Sequence, residues 1–234
     1  MAGILDGLDS VREKLKDHSL KYSEAIKLVN CFYDGMKGNI KRAPDRWSKE
    51  NWRFSRALHI NKNNQSPEKK LEKWVAWMSE RGRKDWANQV PTASGLINRD
   101  ADKKRSIDLV YRIKKSDEYD FIELKVDKKA GDAYYAAVEI LSYGVLYLIH
   151  RTNITYNKCK KSKDKELLKA TTIHLKVLAP VEYYDGNDLR RYQNTISSAI
   201  RQYTKKIVPG LKMDFTFEVF SPDTVIARKS LFIL

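Results

Sequence analysis

Between positions 133 and 149 the chain carries one formal charge, Glu139, in 17 residues. A helix that is apolar all round must be covered all round, by lipid or by the rest of a core. Seventeen residues is the lower limit for a membrane span. Here four tyrosines, three alanines, a serine and a glycine accompany an acid near the middle. The stretch is therefore read as a buried helix of a globular core, with no membrane partner. At 234 residues the chain can bury such a core without disulfide or metal staples.

Two cysteines, Cys31 and Cys159, cannot build a disulfide framework, and no histidine stands at zinc-ligand spacing from them. The opening MAGILDGLDSVREK lacks a basic stretch followed by an apolar one, so no signal peptide is expected. A reducing cytoplasm is the expected compartment.

The first 60 residues read as helical. Asp9 or Ser10 is expected to cap a short helix with Val11 and Leu15 inward. Ser23 is expected to cap a second, where Ala25, Leu28, Val29, Phe32 and Met36 share a face and Gly35 and Gly38 end it. Residues 44–60 interleave Trp47, Trp52 and Phe54 with arginines and read as another short helix, its aromatics packed onto the main domain. The polar run 61–66 marks a boundary between an N-terminal helical extension, 1–62, and a second domain, 63–234. Ser66 and Pro67 then open a helix with Leu71, Trp74, Val75 and Met78 on one face.

After this helix the period of the apolar residues changes from 3.6 to 2. Residues 106–113 (SIDLVYRI) and 120–126 (DFIELKV) alternate as strands around a polar loop at 114–119. Beyond the 133–149 helix come a basic loop, a strand at 172–178, a helix at 187–206, and strands at 213–220 and 225–234. The fold class is mixed α/β, a central β-sheet flanked by helices.

The hairpin gathers the chemistry. If paired residue numbers sum to 231, Asp108 faces Glu123; if they sum to 233, Asp108 faces Lys125 with Glu123 on the diagonal. Directly opposed Cβ atoms are about 5 Å apart and diagonal ones about 7–8 Å. Either register collects two carboxylates and an ammonium on one face, with isoleucine, leucine and valine on the other. Two such carboxylates repel unless a cation joins them, and an oxygen-rich site suits magnesium. A bound divalent ion polarises phosphate and activates water, and a lysine beside it can orient that water.

Asp108, fourteen residues, then Glu123-Leu124-Lys125 resembles the signature of the PD-(D/E)xK nuclease superfamily. The helix carrying Glu68 resembles the first helix of that family, and Glu139-x-x-x-Tyr143 resembles the Gln-x-x-x-Tyr often found after its hairpin. Ile107 stands where the motif has proline. The resemblance covers roughly residues 66–180. It implies a restriction-endonuclease-like core and a Mg²⁺-dependent DNA endonuclease, with Mn²⁺ able to substitute. Asp108, Glu123, the Leu124 carbonyl and Glu68 would hold metal, and Lys125 would position the attacking water. A role in restriction or phage defence, as a homodimer or within a larger complex, belongs to the same expectation. On a helical wheel Glu68 lies about 70° from the centre of the apolar face and Glu72 about 110°. Glu68 is therefore preferred as the helix acid and Glu72 kept as the alternative. Glu139, the sole charge of its helix, needs a partner, either at the site or in a structural hydrogen bond.

Lysine and arginine outnumber acids 45 to 30, a net charge of +15. The excess is spread along the chain, with no separate basic tail, which fits a long groove for a polyanion such as nucleic acid. Candidate phosphate contacts are Lys103, Lys104 and Arg105 before the first strand, Lys128 and Lys129 after the second, and the basic loop 151–170. His18, His59, His150 and His174 show no ligand or triad spacing and are read as structural. The alternative to the enzyme is a nucleic-acid-binding subunit that keeps the fold without the activity.

Overall fold

The structure, a computed structural model, describes residues 5–42, 51–54, 66–80, 85–92, 105–114, 116–128, 131–152, 163–186 and 189–219. In chain order the elements are α1 (Asp9–Leu15), α2 (Tyr22–Lys41), α3 (Pro67–Glu80), β1 (Trp86–Pro91), β2 (Ser106–Arg112), β3 (Glu118–Leu124), α4 (Ala133–Thr152), β4 (Thr172–Ala179), α5 (Leu189–Ile207) and β5 (Lys212–Val219). Short 3₁₀ segments lie at Lys163–Lys169 and Val181–Tyr183. The five strands form one sheet in sequence order. β1, β2 and β3 are antiparallel neighbours, whereas β3, β4 and β5 run parallel. Parallel neighbours need long crossovers, and α4 and α5 supply them.

The near-uncharged stretch is α4, and 16 of its 20 residues are buried. It lies against β3 and β4, with α2 on its other side. Among the described residues no helix is long and apolar enough to cross a membrane. Gly144 lets α4 approach the sheet: a Cβ there would meet Leu175 Cδ1 at 2.6 Å. α1, α2, α4 and α5 share a core with one face of the sheet, including Val110, Tyr119, Phe121, Ile173, Leu175 and Phe215. α3 covers part of the opposite face, where Leu71, Trp74 and Val75 meet Leu109, Ile122, Leu124 and Val126.

The rest of that second face is polar and regular. His174 on β4 lies between Glu118 on β3, 2.8 Å away, and Asp214 on β5, 2.7 Å away. One pair along, Lys176 lies between Asp120 at 2.9 Å and Glu218 at 2.7 Å. The bond to Asp214 chiefly raises the His174 pKa, burial opposes it and Glu118 adds to it, so the imidazolium persists to about pH 9. An unfolded histidine loses its proton near pH 6.5. This contribution is therefore complete below about pH 6.5 and is lost as pH rises through about 9. The stability gap between wild type and His174→Gln, read from urea midpoints, should shrink over that window by about 1–2 kcal/mol after allowance for solvent screening. A gap independent of pH would show that the imidazole stays neutral.

The N-terminal helices differ from expectation in their details. The residue before α1 is Leu8, with no side-chain cap bond, so Asp9 and Ser10 lie inside the first turn. α2 starts at Tyr22, and Glu24 caps it by accepting the Lys21 N–H at 2.9 Å, so Ser23 is not the cap. Gly35 and Gly38 do not end α2, which continues to Lys41. Gly35 instead makes room for Leu8, because a Cβ there would lie 2.3 Å from Leu8 Cδ2. Residues 51–54 form a turn followed by irregular chain, not the expected helix. Trp52 is fully buried, stacked on Phe121 and edge-on to Tyr147, while Phe54 meets Tyr119. The aromatic packing is as expected; Trp47, the 62/63 boundary and the last strand lie outside the described residues.

Candidate active site

The hairpin adopts the tighter of the two registers. Leu109 pairs with Ile122, Val110 with Phe121 and Tyr111 with Asp120, each pair summing to 231. One step further along the same register sets Asp108 opposite Glu123. The regular ladder stops there, and the Leu124 N–H donates to Asp108 Oδ2 at 3.1 Å. β3 begins two residues earlier than the sequence pattern suggests and ends at Leu124. Lys125 thus lies just past the strand, still tied to the sheet because its N–H donates to the Leu178 carbonyl at 2.9 Å. Its Nζ is 2.7 Å from Glu123 Oε1 and 3.6 Å from Glu139 Oε2 on α4. Glu139 therefore finds its partner in the lysine of the motif.

A second lysine joins the other side. Lys69 on α3 lies 2.7 Å from Glu72 and 3.3 Å from Asp108. Glu72 has no exposed surface and also accepts from Gln89 Nε2 at 2.5 Å. Gln89 stands opposite Asp108, between the pairs Asn88–Leu109 and Val90–Ile107, and takes a left-handed φ of 50°. A non-glycine residue there is uncommon, and such strain gathers at functional positions. Glu68, preferred from the helical wheel, is partly exposed and lies in the field of Lys125 and Asp108. Both helix acids thus face the hairpin carboxylates, Glu72 as the buried one.

The electrostatics follow from burying more acid than base. Five carboxylates, Glu68, Glu72, Asp108, Glu123 and Glu139, share the region with two ammoniums, Lys69 and Lys125. Burial pushes the Glu123 carboxyl well up, with Asp108 and Glu139 adding and Lys125 opposing. Burial and then Asp108 push Glu72 up to about 8. Burial pulls Lys125 down, but Glu123 and Glu139 outweigh it and hold the ammonium firmly charged. Tyr143, one turn beyond Glu139, is raised by burial and then by Glu123.

Among the described residues no three acid, histidine or cysteine side chains are gathered as a ready metal cage. Lys69 and Lys125 occupy the spaces between the acids. The donor chemistry nonetheless fits a hard divalent cation: carboxylate oxygens exceed the cations available to them, and Asp108 and Glu123 face each other across the strands. Leu124 meets Asp108 through its N–H, and a part for its carbonyl rests on the resemblance alone.

Two partners escaped the sequence reading, and a third ranked second. Lys69 carries no motif, and Gln89 lies on β1, an unrecognised strand whose residues WANQVP lack clean alternation and end in proline. Glu72 was placed second because the wheel measures distance from the apolar face, whereas polar Gln89 and Lys69 are what cover it. Of the proposed phosphate contacts, Lys128 pairs with Asp185 at 2.9 Å. Lys103, Lys104, Lys129 and residues 153–162 lie outside the described residues. Lys165, in the basic 151–170 segment, turns inward and donates to the Asn51 carbonyl. His150 accepts from the Trp52 indole and His18 stacks on Tyr134, both structural roles, while His59 lies outside the described residues.

No family model, curated protein or solved structure matches this chain.

Proposed function

We propose that this chain is a divalent-metal-dependent nuclease of the PD-(D/E)xK type, cutting DNA internally. The observation that carries the reading is the hairpin register, which opposes Asp108 to Glu123 while Lys125 Nζ stands 2.7 Å from Glu123. A helix bearing two acids before the hairpin and a buried helix bearing Glu139 and Tyr143 after it stand in the order that the resemblance implies. The restriction-endonuclease-like core, a defence role and a homodimeric or larger assembly belong to this same reading.

Asp108 and Glu123 would hold Mg²⁺ or Mn²⁺, with the Leu124 carbonyl and Glu68 or Glu72 completing the set. The bound ion would supply Lewis acidity toward the scissile phosphate and a water of lowered pKa. Lys125 orients the attacking water and offsets negative charge as it grows on the phosphate. Glu139 holds the Lys125 ammonium in place from behind. Water oxygen adds to phosphorus in line with the departing 3′ oxygen, which takes up a proton. The products are a 5′-phosphate and a 3′-hydroxyl.

The second reading, a subunit that binds nucleic acid without cutting it, draws on the two lysines already seated between the acids. One experiment separates them. Purified chain is incubated with plasmid, linear duplex, single-stranded DNA and RNA, in Mg²⁺ or in EDTA. Cleavage of DNA that EDTA abolishes supports the nuclease; binding without cleavage in every arm replaces it with the second reading.

A further inference from the structure

Behind Glu139 a cavity of about 310 Å³ opens between α1 and α4, lined by Arg12, Arg105, Tyr135, Glu139 and Tyr143 among others. Small-ligand sites span roughly 300–1,000 Å³, so this one has room for a small group such as one phosphate. Its polar groups are poorly matched from within. The Arg105 side chain forms no ion pair among the described residues. Among the described residues Arg12 pairs only with Asp9, a largely exposed acid 3.6 Å away. Its guanidinium lies over the Tyr135 ring at 5.9 Å, and Lys16 lies over the same ring at 5.1 Å. The ring thereby holds two cations near the cavity. The Tyr143 hydroxyl, on the wall, has no hydrogen-bond partner among the described residues. Two guanidiniums and a free hydroxyl donor facing one small space match an anion with several acceptor oxygens, and planar guanidinium suits phosphate best. Glu139 belongs to both places, since it lines the cavity and lies 3.6 Å from Lys125.

The geometry points to a phosphate subsite: Arg12 and Arg105 grip a backbone phosphate of the nucleic acid beside the acid cluster. The identity of the polyanion rests on the nuclease reading; the site itself rests on the cavity. α1 thus becomes part of the nucleic-acid-binding surface.

The test is fluorescence polarisation of a dye-labelled single-stranded oligonucleotide on the full chain in EDTA, where metal-dependent cutting is silent. Arg105→Gln and Arg12→Gln should each weaken binding several-fold to tenfold. Each should also make the slope of log affinity against log salt shallower by about 0.7, the loss of one single-strand phosphate contact. Calorimetric Mn²⁺ affinity of both variants should equal that of wild type, which separates this site from the acid cluster. Should Arg105→Gln fail to fold, Arg12→Gln on the short surface helix carries the test alone. Unchanged affinity and slope in the folded variants would overturn the subsite. Complete displacement of the strand by inorganic phosphate or a mononucleotide at comparable concentration would assign the cavity to a free nucleotide instead. If wild type cuts nothing while arginine-dependent strand binding persists, the nuclease reading falls and the subsite stands.

Discussion

The Lys125→Ala variant should cut DNA about 10²–10³-fold more slowly, the usual cost of removing a preorganised charged donor, and still bind Mn²⁺ and nucleic acid. Asp108→Ala should lose cleavage and Mn²⁺ binding together. The difference follows from position. Asp108 is one of the two opposed oxygen donors, and without it a single hairpin carboxylate remains. Lys125 is an ammonium already bonded to Glu123 at 2.7 Å and near Glu139 at 3.6 Å. Its removal frees two acids for the cation, so Mn²⁺ affinity should hold or rise. It also leaves Glu123 buried without its counter-charge, a destabilising change. Lys125→Gln keeps a donor at lower risk to the fold, and melting in Mn²⁺ confirms that each variant is folded. Titration calorimetry and a cleavage assay read the two roles. If wild type binds no divalent ion and both variants keep full nucleic-acid affinity, the cluster is not catalytic and the binding-subunit reading replaces it.

The second large effect is on stability. Trp52→Ala should cost about 3–5 kcal/mol, the range for deleting a large buried aromatic, out of a total typically near 5–15. The ring is fully buried, lies 6.1 Å from Phe121 and 5.3 Å from Tyr147, and donates its indole N–H to His150. Its backbone N–H also bonds the Pro91 carbonyl at 2.9 Å, tying it to β1. Trp52→Phe keeps part of the ring contact and loses the donor, so its cost should be smaller. Urea denaturation compares the three proteins. A cost below about 1 kcal/mol for the alanine variant would mean that this segment is not a fixed part of the core.

The motif residues were legible because two short-range rules converge on them: strand alternation puts Asp108 and Glu123 on one face, and a tight hairpin brings them opposite. The choice between registers was not legible, since a polar loop at 114–119 closes at either length. The structure decides it by starting β3 at Glu118. α4 was legible from its lack of charge. β1 was not, because Asn88, Gln89 and Pro91 carry none of the apolar signal that marks a strand. Glu72 and Lys69 show the same limit. Patterns report which faces are apolar, whereas Glu72 is buried, and Lys69 half-buried, among polar neighbours. The helix stop assigned to Gly35 mistook close packing for chain termination, since Gly35 is small because Leu8 presses on it, whereas nothing among the described residues crowds Gly38.

The same economy at Gly144 reaches the acid cluster. The residue touches none of the charged groups, yet its missing Cβ is what lets α4 ride close upon Leu175. Glu139 lies five residues back on the same rigid rod, about 7.5 Å along its axis at 1.5 Å per residue. The height of the rod above the sheet therefore sets how far the Glu139 carboxylate stands from Lys125, and with it the depth of the cavity behind. Side-chain bulk at position 144 acts as a spacer in a mechanical linkage, tuning from a distance a contact in which it has no part.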